Sequence, residues 1–154
     1  MRLIDQVDGV VVPFLRRWSM PALRWSLALV FVWFGALKVF DVSPAEDLVA
    51  SVVYWVDPTW FVPALGVVEI LVGIGLAARV ALRLVLLVLV AQMVGTFLVF
   101  VMLPDVAFQD GNPFKLTIEG EFVVKNLVLL AAAMVVGTAV EGSGRPVVLE
   151  DRAG

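Results

Sequence analysis

The chain has 154 residues, 62% of them hydrophobic and 16% charged, with a mean hydropathy of +1.03 and a formal net charge of -3. A soluble domain carries about a quarter of its residues as charges, so this composition excludes an aqueous globule and makes the bilayer the solvent. With no cysteine and no histidine, the chain has no disulfide, thiolate metal centre, iron–sulfur ligand set, bis-imidazole haem, ordinary zinc or di-iron site or histidine acid–base catalyst, and no basic tract marks a nucleic-acid surface.

Residues 1–18 place Leu3, Ile4, Val7, Val10 and Val11 at helical spacing opposite Arg2, Asp5 and Asp8. That pattern predicts a short amphipathic helix lying in the inner membrane interface. The acidic residues, the long apolar run that follows and the lack of a small-residue cleavage site argue for an uncleaved anchor over a signal peptide. Ser19 and Pro21 then suit a helix cap and a first-turn proline, starting a membrane domain over 19–140.

Four stretches are long enough to cross: about 22–40, 61–78, 84–103 and 122–140. At 1.5 Å per residue these reach about 26 to 30 Å, against a hydrocarbon core of about 30 Å. The fold class is therefore all-α, a four-helix transmembrane bundle. "DVSPAEDLVASVVYWVDPTW", "RVALR" and "PDVAFQDGNPFKLTIEGE" connect the spans, and Pro44, Pro58, Pro63, Pro104 and Pro113 fall in them or at span entrances.

Arg2, Arg16, Arg17 and Arg24 precede or open span one, and Arg79 and Arg83 separate spans two and three. The connection after span one holds Asp41, Glu46, Asp47 and Asp57 with no base, and the one after span three has Lys115 as its single base. This bias predicts both termini in the cytoplasm. Trp18 and Trp25 fit an inner aromatic belt, Tyr54, Trp55 and Trp60 an outer one, and Arg24 an interfacial anchor. The tail over 141–154 reads as disordered. No internal repeat is evident.

Depth separates the charges within the spans. Lys38 stands near the outer end of span one and Lys125 a few residues below the outer boundary of span four, where both can snorkel. Lys125 also has Glu121 four residues earlier on the same helix face, the favourable order for a pair. Glu69 is about 12 Å down span two. An unpaired carboxylate there costs roughly 2.5 to 3.5 kcal/mol or more, so it must be protonated, paired or wet.

Lys38 is about 8 Å higher by helical rise, a gap two long side chains can close, so a buried Lys38–Glu69 contact is allowed. It would either pin span one to span two or mark a site. Gly66 and Gly73 flank Glu69 on one face, and Gln92, Gly95 and Thr96 form a small polar stripe in span three. With Gly35 these predict an inward seam of Gly35, Lys38, Gly66, Glu69, Gln92, Thr96 and Lys125. Lys38, Glu69, Gln92, Thr96 and Lys125 are the candidate ligand-binding residues, while the glycines alone indicate only close packing.

"WFGALKVF", "GVVEILVGIGL" and "PFKLTIEGEFVVKNLVLLAAA" resemble the DoxX-like group of small bacterial four-pass membrane proteins and, within it, the YkgB-like branch. The resemblance covers about residues 22–140. It carries the motif positions onto Gly35, Lys38, Glu69, Gly120, Phe122, Lys125 and Asn126. It implies a bacterial inner-membrane protein in a redox setting: founding relatives resemble a membrane subunit of a thiosulfate:quinone oxidoreductase, and others are linked to oxidative or reactive-chlorine stress.

Three functions compete. The first is an accessory subunit of a redox or stress-response system, not an enzyme on its own, with a lipid-like ligand such as a quinone beside Glu69 and electrons from a redox partner protein or a soluble reductant. The second is a small-solute or proton-coupled transporter centred on Glu69, which four spans without repeats would complete only as a homo-oligomer. The third is a scaffold whose charges hold helices together.

Overall fold

The structure is a computed structural model, and it describes residues 2–141. The chain forms α1 (Arg2–Val39), α2 (Glu46–Val52), α3 (Pro58–Ala78), α4 (Leu82–Phe97), α5 (Val99–Met102), α6 (Pro104–Ala107) and α7 (Ile118–Glu141), with a 3-10 turn at Gln109–Gly111. Among the described residues, four helical stretches are long and apolar enough to cross a membrane: Val11–Val39, Pro58–Ala78, Leu82–Met102 and Ile118–Thr138. The architecture is an all-α four-helix bundle, with neighbouring spans in the cyclic order α1, α3, α4, α7.

The N-terminal segment departs from expectation. Residues 2–18 are helical, but α1 runs unbroken through Pro13 and Pro21, so Ser19 and Pro21 do not start a new helix. A proline forfeits one backbone hydrogen bond and crowds the preceding turn, a loss that long membrane helices tolerate by local adjustment of the backbone. The side chains of Leu3, Ile4, Val7 and Val10, on which the interfacial reading rests, lie outside the described residues, as does the tail over 142–154.

Local chemistry sets the other helix ends. Asp57 caps α3, accepting from the Thr59 amide at 3.0 Å and its hydroxyl at 2.7 Å, with Pro58 in the first turn. Those bonds hold the Asp57 carboxyl below its usual pKa. Thr117 caps α7, accepting from the Gly120 amide at 3.0 Å while its hydroxyl donates to the Val106 carbonyl at 2.6 Å. The cap moves the start of the fourth span to Ile118, four residues before the expected one. Between α3 and α4 the chain turns in three residues, with Arg79 and Ala81 both left-handed at φ 60° and 48°.

The closest packing is between α1 and α3. A Cβ on Gly35 would lie 2.5 Å from the Gly66 carbonyl oxygen, and one on Gly66 would lie 2.6 Å from the Gly35 carbonyl oxygen. One on Gly73 would meet the Ala28 carbonyl at 2.7 Å. The two backbones thus touch for about three turns, which only glycine allows. Two hydrophobic clusters fill the bundle. One, toward the Arg79–Ala81 turn, includes Leu27, Phe31, Leu76, Leu89 and Val136. The other, toward the acidic connection, comprises Val52, Val99, Ala107 and Val123 with Phe97, Phe100 and Phe108 around them.

Candidate functional site

Between the two clusters, the last turn of α1 brings Lys38 against Glu69 of α3. The ammonium donates to both carboxylate oxygens, at 2.9 Å to Oε1 and 2.8 Å to Oε2, and each residue is 7% exposed. Gly66 makes this approach possible: a Cβ there would lie 2.8 Å from the Lys38 Cβ. Gln92 of α4 closes the cluster, its amide nitrogen donating to Glu69 Oε1 at 2.5 Å. The carboxylate therefore accepts three hydrogen bonds and its charge is matched by one cation, which meets the requirement for a charge at this depth. The Gln92 amide oxygen is buried with no partner among the described residues.

This cluster is one wall of a cavity of about 240 Å³. Thr96, one turn beyond Gln92, also lines it and donates to the Gln92 carbonyl at 3.2 Å. From α7 come Phe122, Asn126 and Leu129, spaced along one helix face. Lys38, Glu69, Gln92, Thr96 and Asn126 supply the polar side chains, and nearly all the rest of the lining is apolar. Gly95 lines the cavity too, and a Cβ there would meet nothing within 4 Å, so its lack of a side chain leaves free space.

The other expected residues fall elsewhere. Lys125 does not join the cluster: its side chain is 73% exposed, one residue off the cavity face of α7, and pairs with Glu121 at 3.6 Å. Gly35, Gly66 and Gly73 serve the α1–α3 contact. Gly120 lets the Ala107 carbonyl of α6 press against α7.

Sequence reasoning missed the roof of the cavity. Ala45, Leu48, Val49, Val52, Val53 and Trp55 all line it, yet their segment reads as a polar connection. The signal was present: Leu48, Val49, Val52 and Val53 recur at helical spacing behind the acidic first turn of Glu46 and Asp47. Beside the start of α2, Asp41 has a left-handed backbone (φ 57°). Hydrogen bonding to the neighbouring Asp41 carboxyl raises the Glu46 pKa above its usual value, with desolvation and the charges of Asp41 and Asp47 adding.

The arrangement can hold a small ring or head group with polar substituents. An apolar cavity of roughly 150 Å³ accepts benzene, so the space beside Lys38 and Glu69 suits one substituted ring and is too small for a large polar substrate.

A family model described as DoxX matches residues 19–102, more than half of the chain. The matched stretch contains Lys38, Glu69, Gln92 and Thr96; Phe122 and Asn126 lie beyond it. No curated protein and no solved structure is significantly similar to the chain.

Proposed function

The chain belongs to the DoxX family and is a multi-pass integral membrane protein, and on that premise we propose that it is an accessory membrane subunit of a redox or oxidative-stress system that binds a quinone-like amphiphile. The observation that carries this reading is the Lys38–Glu69–Gln92 cluster set in the wall of an otherwise apolar cavity, the pattern of a site that takes an apolar body and orients it by a few polar atoms.

The donor set fits a quinone head group. Lys38 has a third N–H beyond the two given to Glu69, and the Asn126 amide offers another donor from the opposite wall. Either can meet a ring carbonyl. Glu69 is the group able to exchange a proton with the bound ring. A quinone supplies the two-electron, two-proton couple that no side chain here provides. Electrons would come from a partner protein or a soluble reductant, since the sequence has neither cysteine nor histidine to hold a redox centre. The charge asymmetry of the connections supports an orientation with both termini cytoplasmic, and the family resemblance favours a bacterial inner membrane.

The Lys38–Glu69 pair and the glycine contacts around it also favour a second reading, a scaffold in which the pair simply joins α1 to α3. Mass spectrometry of small molecules retained by the protein in native-membrane discs separates the two. The expected result is an isoprenoid quinone or similar amphiphile near one per chain, lost in Glu69→Gln and in Gly95→Leu, which fills the cavity and leaves the ion pair intact. Bulk phospholipid alone, unchanged by Gly95→Leu, overturns the ligand reading in favour of the scaffold.

A further inference from the structure

The cavity lies between two packed clusters, and this decides where it can open. On one side Leu27, Leu76 and Leu89 are at most 2% exposed. On the other, Val99, Ala107 and Val123 are buried, and the Phe97, Phe100 and Phe108 rings stack at centroid distances of 6.5 and 5.4 Å. A route along the bundle axis, for water or a hydrated solute, would have to pass one of these clusters or the α2 roof, where Trp55 lines the cavity.

Sideways the wall includes a pair of rings. Phe34 of α1 and Phe122 of α7 both line the cavity, and they are 36% and 44% exposed. Their ring centroids are 6.0 Å apart. The two rings thus stand together in the cavity wall where α1 meets α7.

The seam they close is also the least restrained of the four. The α1–α3 seam is held by backbone contact at Gly35 and Gly66 and by the ion pair. The α3–α4 seam is tied by the Arg79–Ala81 turn and by the Gln92–Glu69 bond. The α4 and α7 spans follow one another in the chain through α5 and α6. Spans α1 and α7 are first and last, so no connection joins them, and no side-chain hydrogen bond or ion pair among the described residues bridges them. Parting Phe34 from Phe122 breaks only van der Waals contact, which lipid tails replace at little cost.

We propose that the cavity is loaded sideways from the bilayer through the α1–α7 seam, with Phe34 and Phe122 as its door. Its ligand is then a membrane-dissolved amphiphile whose head group meets Lys38, Glu69 and Gln92 and whose tail lies between the two rings. This rests on the reading that the cavity binds a ligand at all. On this proposal a solute enters from the lipid and not along the bundle axis.

The chain has no cysteine, so Thr96→Cys introduces a unique thiol in the cavity wall. In proteoliposomes of this variant, lipid-soluble N-phenylmaleimide is expected to label the thiol. A charged methanethiosulfonate trimethylammonium reagent, present on both sides, is expected to leave it unlabelled while reacting readily at Ser51→Cys on exposed α2. Replacing Phe34 and Phe122 by Ala should raise the maleimide rate severalfold. Labelling of Thr96→Cys by the charged reagent at the Ser51→Cys rate overturns the proposal by revealing an aqueous route. So does failure of the lipid-soluble reagent, or a rate indifferent to the two Phe→Ala changes. A retained quinone together with aqueous labelling would sink only the route, and lateral labelling with no retained ligand would sink only the ligand reading.

Discussion

Lys38 and Glu69 meet across the tightest helix contact in the molecule: the ammonium bonds both carboxylate oxygens at 2.9 and 2.8 Å, one turn from where the Gly35 and Gly66 backbones touch. Each charge is tolerated at this depth only because the other is present. Removing one partner from a buried pair costs about 3 to 5 kcal/mol, whereas replacing both by apolar groups is often near neutral. Lys38→Met and Glu69→Leu should therefore each lower resistance to unfolding in a denaturing-detergent titration by roughly that much, and the double variant should recover most of the loss. Additive losses would show that the two charges do not act as a pair.

The glycines divide by what surrounds them. Gly35→Ala and Gly66→Ala place a methyl against a carbonyl oxygen of the facing helix and should cost about 1 to 3 kcal/mol, the usual range for overpacking. Gly95→Ala meets open space, and in a helix interior it should stabilise by about 0.5 to 1 kcal/mol through reduced backbone freedom. The same titration ranks the three, and equal effects at Gly35 and Gly95 would contradict the packing described.

Lys125 is predicted to be dispensable for the site. Its partner Glu121 lies on the same helix and both are largely exposed, a pair of the kind worth about 0.2 to 0.5 kcal/mol. Lys125→Gln should change stability by no more than that and leave ligand retention as in the parent protein. A loss of retained ligand would mean that Lys125 reaches the cavity.

The docking of α2 should depend on pH through Glu46. Its pKa is raised in the folded protein by the hydrogen bond with Asp41, so the docked state holds the proton more tightly than the undocked one. Docking is then strongest below the ordinary glutamate value and weakens as pH rises through the raised one. Hydrogen exchange of the α2 amides, corrected for intrinsic rates, should speed up over that window, and in Glu46→Gln the dependence should vanish. A flat profile in the parent protein would remove Glu46 as the controlling group.

Much of this was legible in the sequence because bilayer physics leaves few choices. Four apolar runs of spanning length had to be helices, and a carboxylate at the depth of Glu69 had to be protonated, paired or wet, with Lys38 a cation that helical rise allows as its partner. What could not be read was sidedness on a single helix. Lys125 and Asn126 are adjacent in sequence, yet one faces outward and the other the cavity, because a helical step of one residue turns the side chain by about 100°. The roof over the cavity was missed since α2 has only seven residues, too few for its apolar spacing to stand out among acidic and aromatic neighbours. The unbroken α1 reflects the weakness of proline as a stop signal inside a long helix.

The bidentate contact between Lys38 and Glu69 has an electrical consequence. A lone elementary charge moved across an energised membrane exchanges about 2.3 kcal/mol per 100 mV, enough to couple any displacement of it to the cell's voltage. A cation and an anion held 2.8 Å apart carry no net charge, so the field exerts almost no net force on them when they move together. The cluster is thus electrically silent, and collapse of the membrane potential should by itself neither fill nor empty the cavity.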